Sequence, residues 1–458
     1  MSVPVWFART VFRAQEAAMH RPTFAMLAEL ERSQWLSPEA MRDLQTRRLN
    51  ALLRCALAHS PWHAARLEAA GLSDAVRAET MSLSDLSRLP TMDKRDAREN
   101  VAQLVWRDVP GGVFPYTTGG SSGEPLIFHF GRTRQAADAA GRLRARRWWE
   151  VQPGDREVFL WGAPVELSKT DRIKTVRDRL VNQLLLNAFA MSRPRMDEYL
   201  VAIQAWNPKA IYGYASSLAL LAAHAEANGI RPRLPALRVV NATGEPLFTY
   251  QRELIERVFR TPVAVEYGAR DAGLMALQAP DGSLLQMDET HLIEVLDAAG
   301  NPVDEGEAVI TSLVSEAQPF IRYRTGDVVR RAGRSDPGGR GLTVLEAVVG
   351  RQTDFIVAAD GRIMHALALI YILRAIPGVS QFKLIQHELN RMEAQVVPNE
   401  RWSGTARNEL IAGLRARLGE TLEVDLKLLE SIAPEASGKY RYVVSHVPLD
   451  ASLAGVVP

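Results

Sequence analysis

The chain has 458 residues, of which 47% are hydrophobic and 24% charged, with 31 glycines and 25 prolines. That length exceeds one compact core and predicts two to four domains, and the composition excludes a largely disordered or fibrous chain. With 55 basic against 53 acidic residues the formal net charge is +2, which leaves no global pull toward nucleic acid or an anionic membrane. An anionic ligand must be recognised locally.

Cys55 is the only cysteine. It excludes an internal disulfide framework and a cysteine-rich zinc site, and it fits a reducing, cytoplasmic setting. Its apolar helical surroundings predict a packing role. The segment His387-Glu388-Leu389-Asn390-Arg391 lacks the second histidine of a zinc-protease helix.

From the start, Met1 to His20 carries Trp6, Phe7, Val11 and Phe12 interrupted by Arg9, Arg13 and Glu16. It reads as a short amphipathic helix, with a surface anchor as the alternative, and not as a secretory core. No apolar run reaches the length needed to span a bilayer. Residues 21 to about 100 read as helical, with helical apolar spacing in Met41–Leu57 and breaks at Gly71 and Pro90.

A different texture follows, in which short apolar runs alternate with amphipathic stretches. These are Val158–Trp161, Ile173–Phe189, Ala210–Tyr214, Leu218–Ala227, Leu237–Val240, Arg252–Phe259 and Val263–Tyr267. Buried strand, crossover helix, buried strand is the pattern of a mostly parallel sheet. The basic stretch Arg142-Leu143-Arg144-Ala145-Arg146-Arg147 with Trp148-Trp149 reads as a solvated helix face. Docking of an acidic carrier or of a nucleotide phosphate is the alternative there, and a nucleic-acid module is disfavoured by the balanced charge.

From Gly282 to Gly350 the helical pattern stops, and Leu292–Leu296, Ala308–Leu313 and Phe320–Tyr323 read as strands of a β-rich subdomain. After Gly350 a smaller unit is predicted. It has helices at His365–Ile376 and Thr405–Leu418, and strands at Phe382–Ile385, Glu393–Val397 and Val424–Leu429. The fold class is α/β: a large domain of mostly parallel sheets flanked by helices plus the β-rich subdomain, and a small mobile α+β C-terminal domain. The divisions are a helical region 1–100, a core 101–351 and a small domain 352–458.

Six segments carry chemistry. Thr117-Thr118-Gly119-Gly120-Ser121-Ser122-Gly123 offers glycines, hydroxyls and exposed N–H groups suited to phosphate oxygens, and it is not a Walker loop. Thr243-Gly244-Glu245-Pro246 and Glu266-Tyr267-Gly268-Ala269-Arg270-Asp271 each close a buried strand. Tyr323-Arg324-Thr325-Gly326-Asp327 lies at a strand-to-turn exit, Gly350-Arg351 at the domain joint, and Ser437-Gly438-Lys439 near the end. Ligands of open α/β sheets bind beyond the carboxyl ends of strands, where three of these segments fall. Singly, each is an ordinary turn, packing residue or ion pair.

In this order the set resembles the motif series of the adenylate-forming superfamily, in the form of the phenylacetate–CoA ligase and CapK family. Gln45–Ser60, Pro61-Trp62-His63, Leu89–Lys94 and Tyr212–Leu218 resemble that family too. The resemblance covers roughly residues 30 to 445. It implies that a carboxylate and ATP give an acyl-adenylate and pyrophosphate, after which a thiol, that of CoA, takes the acyl group. It implies that Thr118 to Gly123 hold the β,γ-phosphates and that Asp271 binds Mg²⁺ directly or through a water. Most relatives carry the longer Glu there. Tyr267 and Gly268 would face adenine across from Thr243, Gly244, Glu245 and Pro246; Asp327 and Arg351 would hold the ribose; and Lys439 would bridge carboxylate and α-phosphate. Tyr214 and Ala215 would line the acyl pocket. Thr353 and Asp354 would form the hinge on which the small domain turns between half-reactions. Two alternatives stay open: loading of an acyl-carrier protein or another acceptor instead of CoA, in a setting such as cell-surface polysaccharide synthesis, and a catalytically retired nucleotide-binding homologue.

Overall fold

The computed structural model describes residues 2–117, 126–162, 176–188, 191–297, 299–349, 355–360, 363–432 and 442–447. The chain opens with helices Val5–Ala18, Thr23–Ser33, Pro38–His59 and Pro61–Ala69. Pro38–His59 starts where the Ser37 side chain accepts the Ala40 N–H and Pro38 supplies a preset first turn. The amphipathic first helix is docked on the body. Asn182 Nδ2 donates to the Val3 carbonyl, Asn182 Oδ1 accepts the Val3 N–H, and Arg9 Nε donates to Pro153 O at 3.1 Å. Among the described residues no helix is long and apolar enough to cross a membrane.

A hairpin of β1 (Phe114–Thr117) and β2 (Ile127–Phe130) precedes the helix Arg132–Trp148. Then come β3 (Glu157–Trp161), β4 (Gln183–Asn187), β5 (Ala210–Tyr214), β6 (Val239–Thr243) and β7 (Val263–Ala269). They pair in parallel in the order β4-β3-β5-β6-β7. The stretch read as one amphipathic helix, Ile173–Phe189, contains β4. Leu184 and Leu186 point inward while Leu185 is exposed, the period-two burial of a strand. Its residues 173–175 and 189 lie outside the described residues.

One face of the parallel strands is apolar: Val158, Leu160, Ile211, Val240, Ala242 and Val263 pack on the helices Arg193–Trp206, Ala215–Ala227 and Thr249–Phe259. Ala215–Ala227 is buried along most of its length, as a crossover helix inside the fold must be. The opposite face meets the helix Arg132–Trp148.

Antiparallel pairing starts with β8 (Gly273–Gln278), earlier than the sequence pattern placed it. The following strands are β9 (Leu284–Gln286), β10 (His291–Leu296), β11 (Glu305–Ser312), β12 (Tyr323–Arg331) and β13 (Val344–Val349). This β-rich stretch is hydrogen-bonded into the same eleven-stranded sheet, ordered β10-β11-β12-β13-β9-β8-β7-β6-β5-β3-β4. The join at β7/β8 brings the Asp271 turn against β12.

The C-terminal region is α+β. A β14 (Phe355–Val357) and β15 (Ile363–His365) pair precedes the helix Leu367–Ala375. The four-stranded sheet β18-β17-β16-β19 is built from β16 (Val379–Glu388), β17 (Arg391–Pro398), β18 (Glu423–Leu428) and β19 (Val443–Ser445). Its core of Phe382, Leu384, Met392, Val396, Leu410 and Leu414 includes the inner face of the helix Gly404–Leu418.

Candidate active site

The carboxyl ends of β5, β6 and β7 carry Tyr214, Thr243 and Glu266–Tyr267 side by side, since Tyr214 pairs with Thr243 and Thr243 with Glu266. Beyond β6 the chain turns at Gly244, whose φ of +76° is left-handed and whose added Cβ would stand 3.2 Å from the Tyr214 ring. The next residue, Glu245, reaches back to the start of the helix Ala215–Ala227. There Oε2 accepts the Ser216 N–H at 3.0 Å and the Ser216 hydroxyl, so an anionic cap meets the positive helix end. Pro246 is half-buried. Tyr214 stacks on Trp161 at 4.1 Å, and both Tyr214 and Ala215 are buried.

Two motif segments meet across the sheet. Tyr267 is packed with Met92, Met275, Phe320 and Tyr323, and its hydroxyl donates to Asp327 Oδ2 at 3.3 Å. Tyr323 in turn donates to Asp271 Oδ2 at 2.6 Å. Asp327 lies inside β12, at an irregularity in its pairing with β11, and not at the strand-to-turn exit that the sequence pattern predicts. Gly326 takes φ +75°, and the Thr325 hydroxyl accepts the Asp327 N–H at 3.1 Å while donating to Ala308 O at 2.8 Å.

The helix Arg132–Trp148 holds the Asp271 turn from behind. Arg134, 3% exposed, donates to the carbonyls of Asp271 and Arg270. Four residues on, Asp138 Oδ1 accepts the Leu274 N–H at 3.0 Å; eight on, Arg142 grips Glu266 through Nε and Nη2 at 3.1–3.2 Å. Spacing of four and eight puts all three on one helix face. His291 Nε2 lies 2.9 Å from the Ala272 carbonyl, and burial pushes its pKa down to about 4, so the ring is neutral and donates that proton.

The arginine-rich stretch is therefore not a solvated face. Arg144 is sealed against Glu289, Arg146 pairs with Glu157, Arg147 with Glu31, and the Trp148 and Trp149 indoles donate to Gln34 and to Gln278 O. Each arginine finds a carboxylate inside the fold, which removes these side chains as a docking surface for a carrier or nucleic acid. Cys55 is half-buried with its thiol pushed up to about 11, mainly by desolvation, as a packing residue would be.

The expected metal ligand, Asp271, is 4% exposed, and its second oxygen accepts the Ala272 N–H at 3.1 Å. No group of three or more metal-binding side chains gathers among the described residues. Each Asp271 oxygen accepts one hydrogen bond and keeps a second lone pair.

Thr118, Gly119, Gly120, Ser121, Ser122 and Gly123, together with Arg351, Thr353, Asp354 and Lys439, lie outside the described residues. Thr243, Gly244, Glu245, Pro246, Tyr267, Gly268 and Asp271 fall at or just beyond the neighbouring carboxyl ends of β6 and β7, and Asp327 lies in the middle of β12. Thr243 is buried and its hydroxyl faces Glu266 at 3.2 Å. Sequence reasoning singled out the segments that begin at Glu266 and Tyr323 but gave those two residues no role, and it missed Arg134, and Arg142 as the partner of Glu266. A charge inside the apolar run Val263–Tyr267 and the shared Tyr-x-x-x-Asp spacing of 267–271 and 323–327 were the available signals.

The CapK C-terminal domain family matches residues 356–446. CapK of Staphylococcus aureus is 20% identical over 77% of this chain and 79% of its own length. Phenylacetate-coenzyme A ligase of Aromatoleum evansii is 27% identical over 36% of this chain and 39% of its own. The chain is similar in structure to 2-hydroxyisobutyryl-CoA ligase in complex with 2-HIB-AMP and CoA in the thioesterification state, with TM-score 0.60 and 22% identity over 92% of each chain. The postadenylation state of that enzyme matches with TM-score 0.57 over 93% of this chain and 92% of that one. The chain thus has the fold of the adenylate-forming acyl-CoA ligases and is a homologue of CapK and phenylacetate-CoA ligase.

Proposed function

We propose that the protein activates a carboxylic acid with MgATP to an acyl-adenylate and then passes the acyl group to the thiol of CoA. A carboxylate oxygen attacks the α-phosphorus and pyrophosphate leaves; the thiolate then attacks the acyl carbon and AMP leaves. The observation that carries the reading is the meeting of two motif carboxylates, Asp327 within β12 and Asp271 in the turn after β7, each bonded to the other motif's tyrosine.

In this scheme Asp327 accepts the ribose hydroxyls with its two oxygens. The base lies between Tyr267–Gly268 and the turn Thr243–Pro246. Thr118 to Gly123 hold the departing phosphates, and Arg351 supports the ribose. Lys439 stabilises the charge that develops on the α-phosphate. Tyr214 and Ala215 stand where the acyl chain enters. The divisions 1–100, 101–351 and 352–458 belong to this proposal, with Thr353 and Asp354 as the joint that absorbs backbone rotation.

The alternative acceptor is a carrier protein or another nucleophile in place of CoA. Acid-dependent ATP–pyrophosphate exchange tests the first half-reaction. Thioester formation with CoA, compared with an acyl-carrier protein, tests the second. Absence of exchange with every acid of a broad panel of aryl, fatty, hydroxy and amino acids overturns the proposal.

A further inference from the structure

The row Tyr214–Thr243–Glu266 carries a buried charge that adenylation does not use. The Glu266 side chain is 5% exposed and that of Arg142, its partner, 35%. Oε1 of Glu266 also accepts the Tyr212 hydroxyl at 2.7 Å and the Thr243 hydroxyl at 3.2 Å. Four neighbours crowd one sheet face here: Tyr212, Thr243, Arg142, and Asn241, which pairs with Tyr212 in the register. Trp161 closes the row beyond β5 by stacking on Tyr214.

Stability does not explain such a pair. A buried ion pair replaced by apolar side chains of similar volume is commonly neutral or stabilising. Its place does: this is the carboxyl end of the parallel strands, where ligands of such sheets bind. The unfilled bonding capacity is also of one kind. Arg142 spends Nε and Nη2 on Glu266, which leaves Nη1 without a hydrogen bond among the described residues. The Asn241 amide nitrogen has no partner there either. Both are donors: the Arg142 side chain is 35% exposed and reachable, and the Asn241 nitrogen is buried, so an incoming oxygen acceptor finds a donor at either.

We propose that Arg142, held in place by Glu266, is a specificity-determining residue that hydrogen-bonds a second oxygen function, a hydroxyl or a carboxylate, on the acyl chain. The acid is then an oxygen-substituted one, and unsubstituted aryl or alkyl acids are poor substrates. The argument rests on the adenylation reading. A guanidinium fixed on a carboxylate is a preorganised donor, and a donor that loses its water on binding without gaining an acceptor costs binding of the unsubstituted analogue.

The test is pyrophosphate exchange with matched acids that differ only in a hydroxyl or a second carboxylate, using the full chain and its Arg142→Lys and Arg142→Met variants. Lysine keeps a charge on Glu266 and loses the guanidinium fork, so Arg142→Lys guards against misfolding of Arg142→Met. The wild type is expected to prefer an oxygen-substituted acid by about 10–100-fold in kcat/KM, the range for a hydrogen bond to a charged group. Both variants are expected to lose most of that preference through KM for the acid, with KM for ATP little changed. The hydroxyl and carboxylate series separate the two substituents. Exchange that is equally good with unsubstituted acids, or a preference that survives in Arg142→Lys, overturns this inference and leaves adenylation standing. Exchange with no acid at all overturns the parent reading instead.

Discussion

The hydroxyl of Tyr323 donates to Oδ2 of Asp271 at 2.6 Å. The reciprocal bond runs from Tyr267 to Asp327 at 3.3 Å. Each segment, 267–271 and 323–327, reads Tyr-x-x-x-Asp, and each tyrosine serves the other segment's carboxylate. The exchange ties the turn after β7 to the start of β12, so neither aspartate is positioned by its own strand alone.

Removing one hydroxyl should loosen the partner carboxylate without emptying the core. In Tyr323→Phe the ring stays packed on Phe320 at 4.9 Å while Asp271 loses a bond of about 1.5–3 kcal/mol. Pyrophosphate exchange is expected to fall about tenfold or more. Asp271→Asn in the same background should add little, since both changes act on one contact. Fully additive losses would mean that Asp271 works independently of Tyr323.

Lys439→Ala addresses the transition state itself. If this lysine bridges carboxylate and α-phosphate, adenylation falls by about 10²–10³-fold, the scale for one transition-state donor. Exchange at an unchanged rate would take Lys439 out of that role. CoA transfer from a preformed acyl-adenylate should be far less affected, which separates this loss from general damage.

Thr353→Pro tests the joint. A fixed φ at a hinge restricts the turn between half-reactions and leaves one closed arrangement accessible. Thioester formation is expected to drop more than pyrophosphate exchange, measured on the same preparation. Equal loss of both would point to misfolding instead of restricted motion.

Strand ends were legible in the sequence because burial and chemistry coincide there. Val263–Tyr267 reads as a buried strand, and the Gly-containing turn after it as a site. The helix Arg132–Trp148 was not legible. Amphipathicity treats arginine as a solvent residue, yet Arg144 is 0% exposed and bound to Glu289, whose position 145 residues away no local pattern reports. Ile173–Phe189 is helical over 176–180 and departs from the helical reading at β4 for a related reason. Its leucines satisfy both a helical and a period-two spacing, and the choice was made by pairing with β3. The Tyr267–Asp327 bond joins residues 60 apart and depends on the β7/β8 turn reaching β12, a tertiary fact.

Stability against pH carries a signature of three buried groups. Burial raises Asp288 to about 7 from 3.8, lowers His291 to about 4 from 6.5, and lowers His63 to about 3 from 6.5. A histidine depressed on folding binds fewer protons in the native state, so its contribution is present above pH 6.5 and is lost as pH falls toward 4 or 3. A raised carboxyl does the reverse: native Asp288 holds a proton that the unfolded chain gives up, so its contribution is lost as pH rises from about 4 to 7. Between pH 4 and 6.5 the two histidines and Asp288 oppose each other. Asp288→Asn removes the opposing group and should steepen the rise of unfolding free energy with pH in that window. The added slope approaches about 1.4 kcal/mol per pH unit, one proton's worth. Urea unfolding of wild type and variant at half-unit steps from pH 4 to 7 reads the difference directly, and parallel curves would mean that Asp288 stays ionised inside the fold.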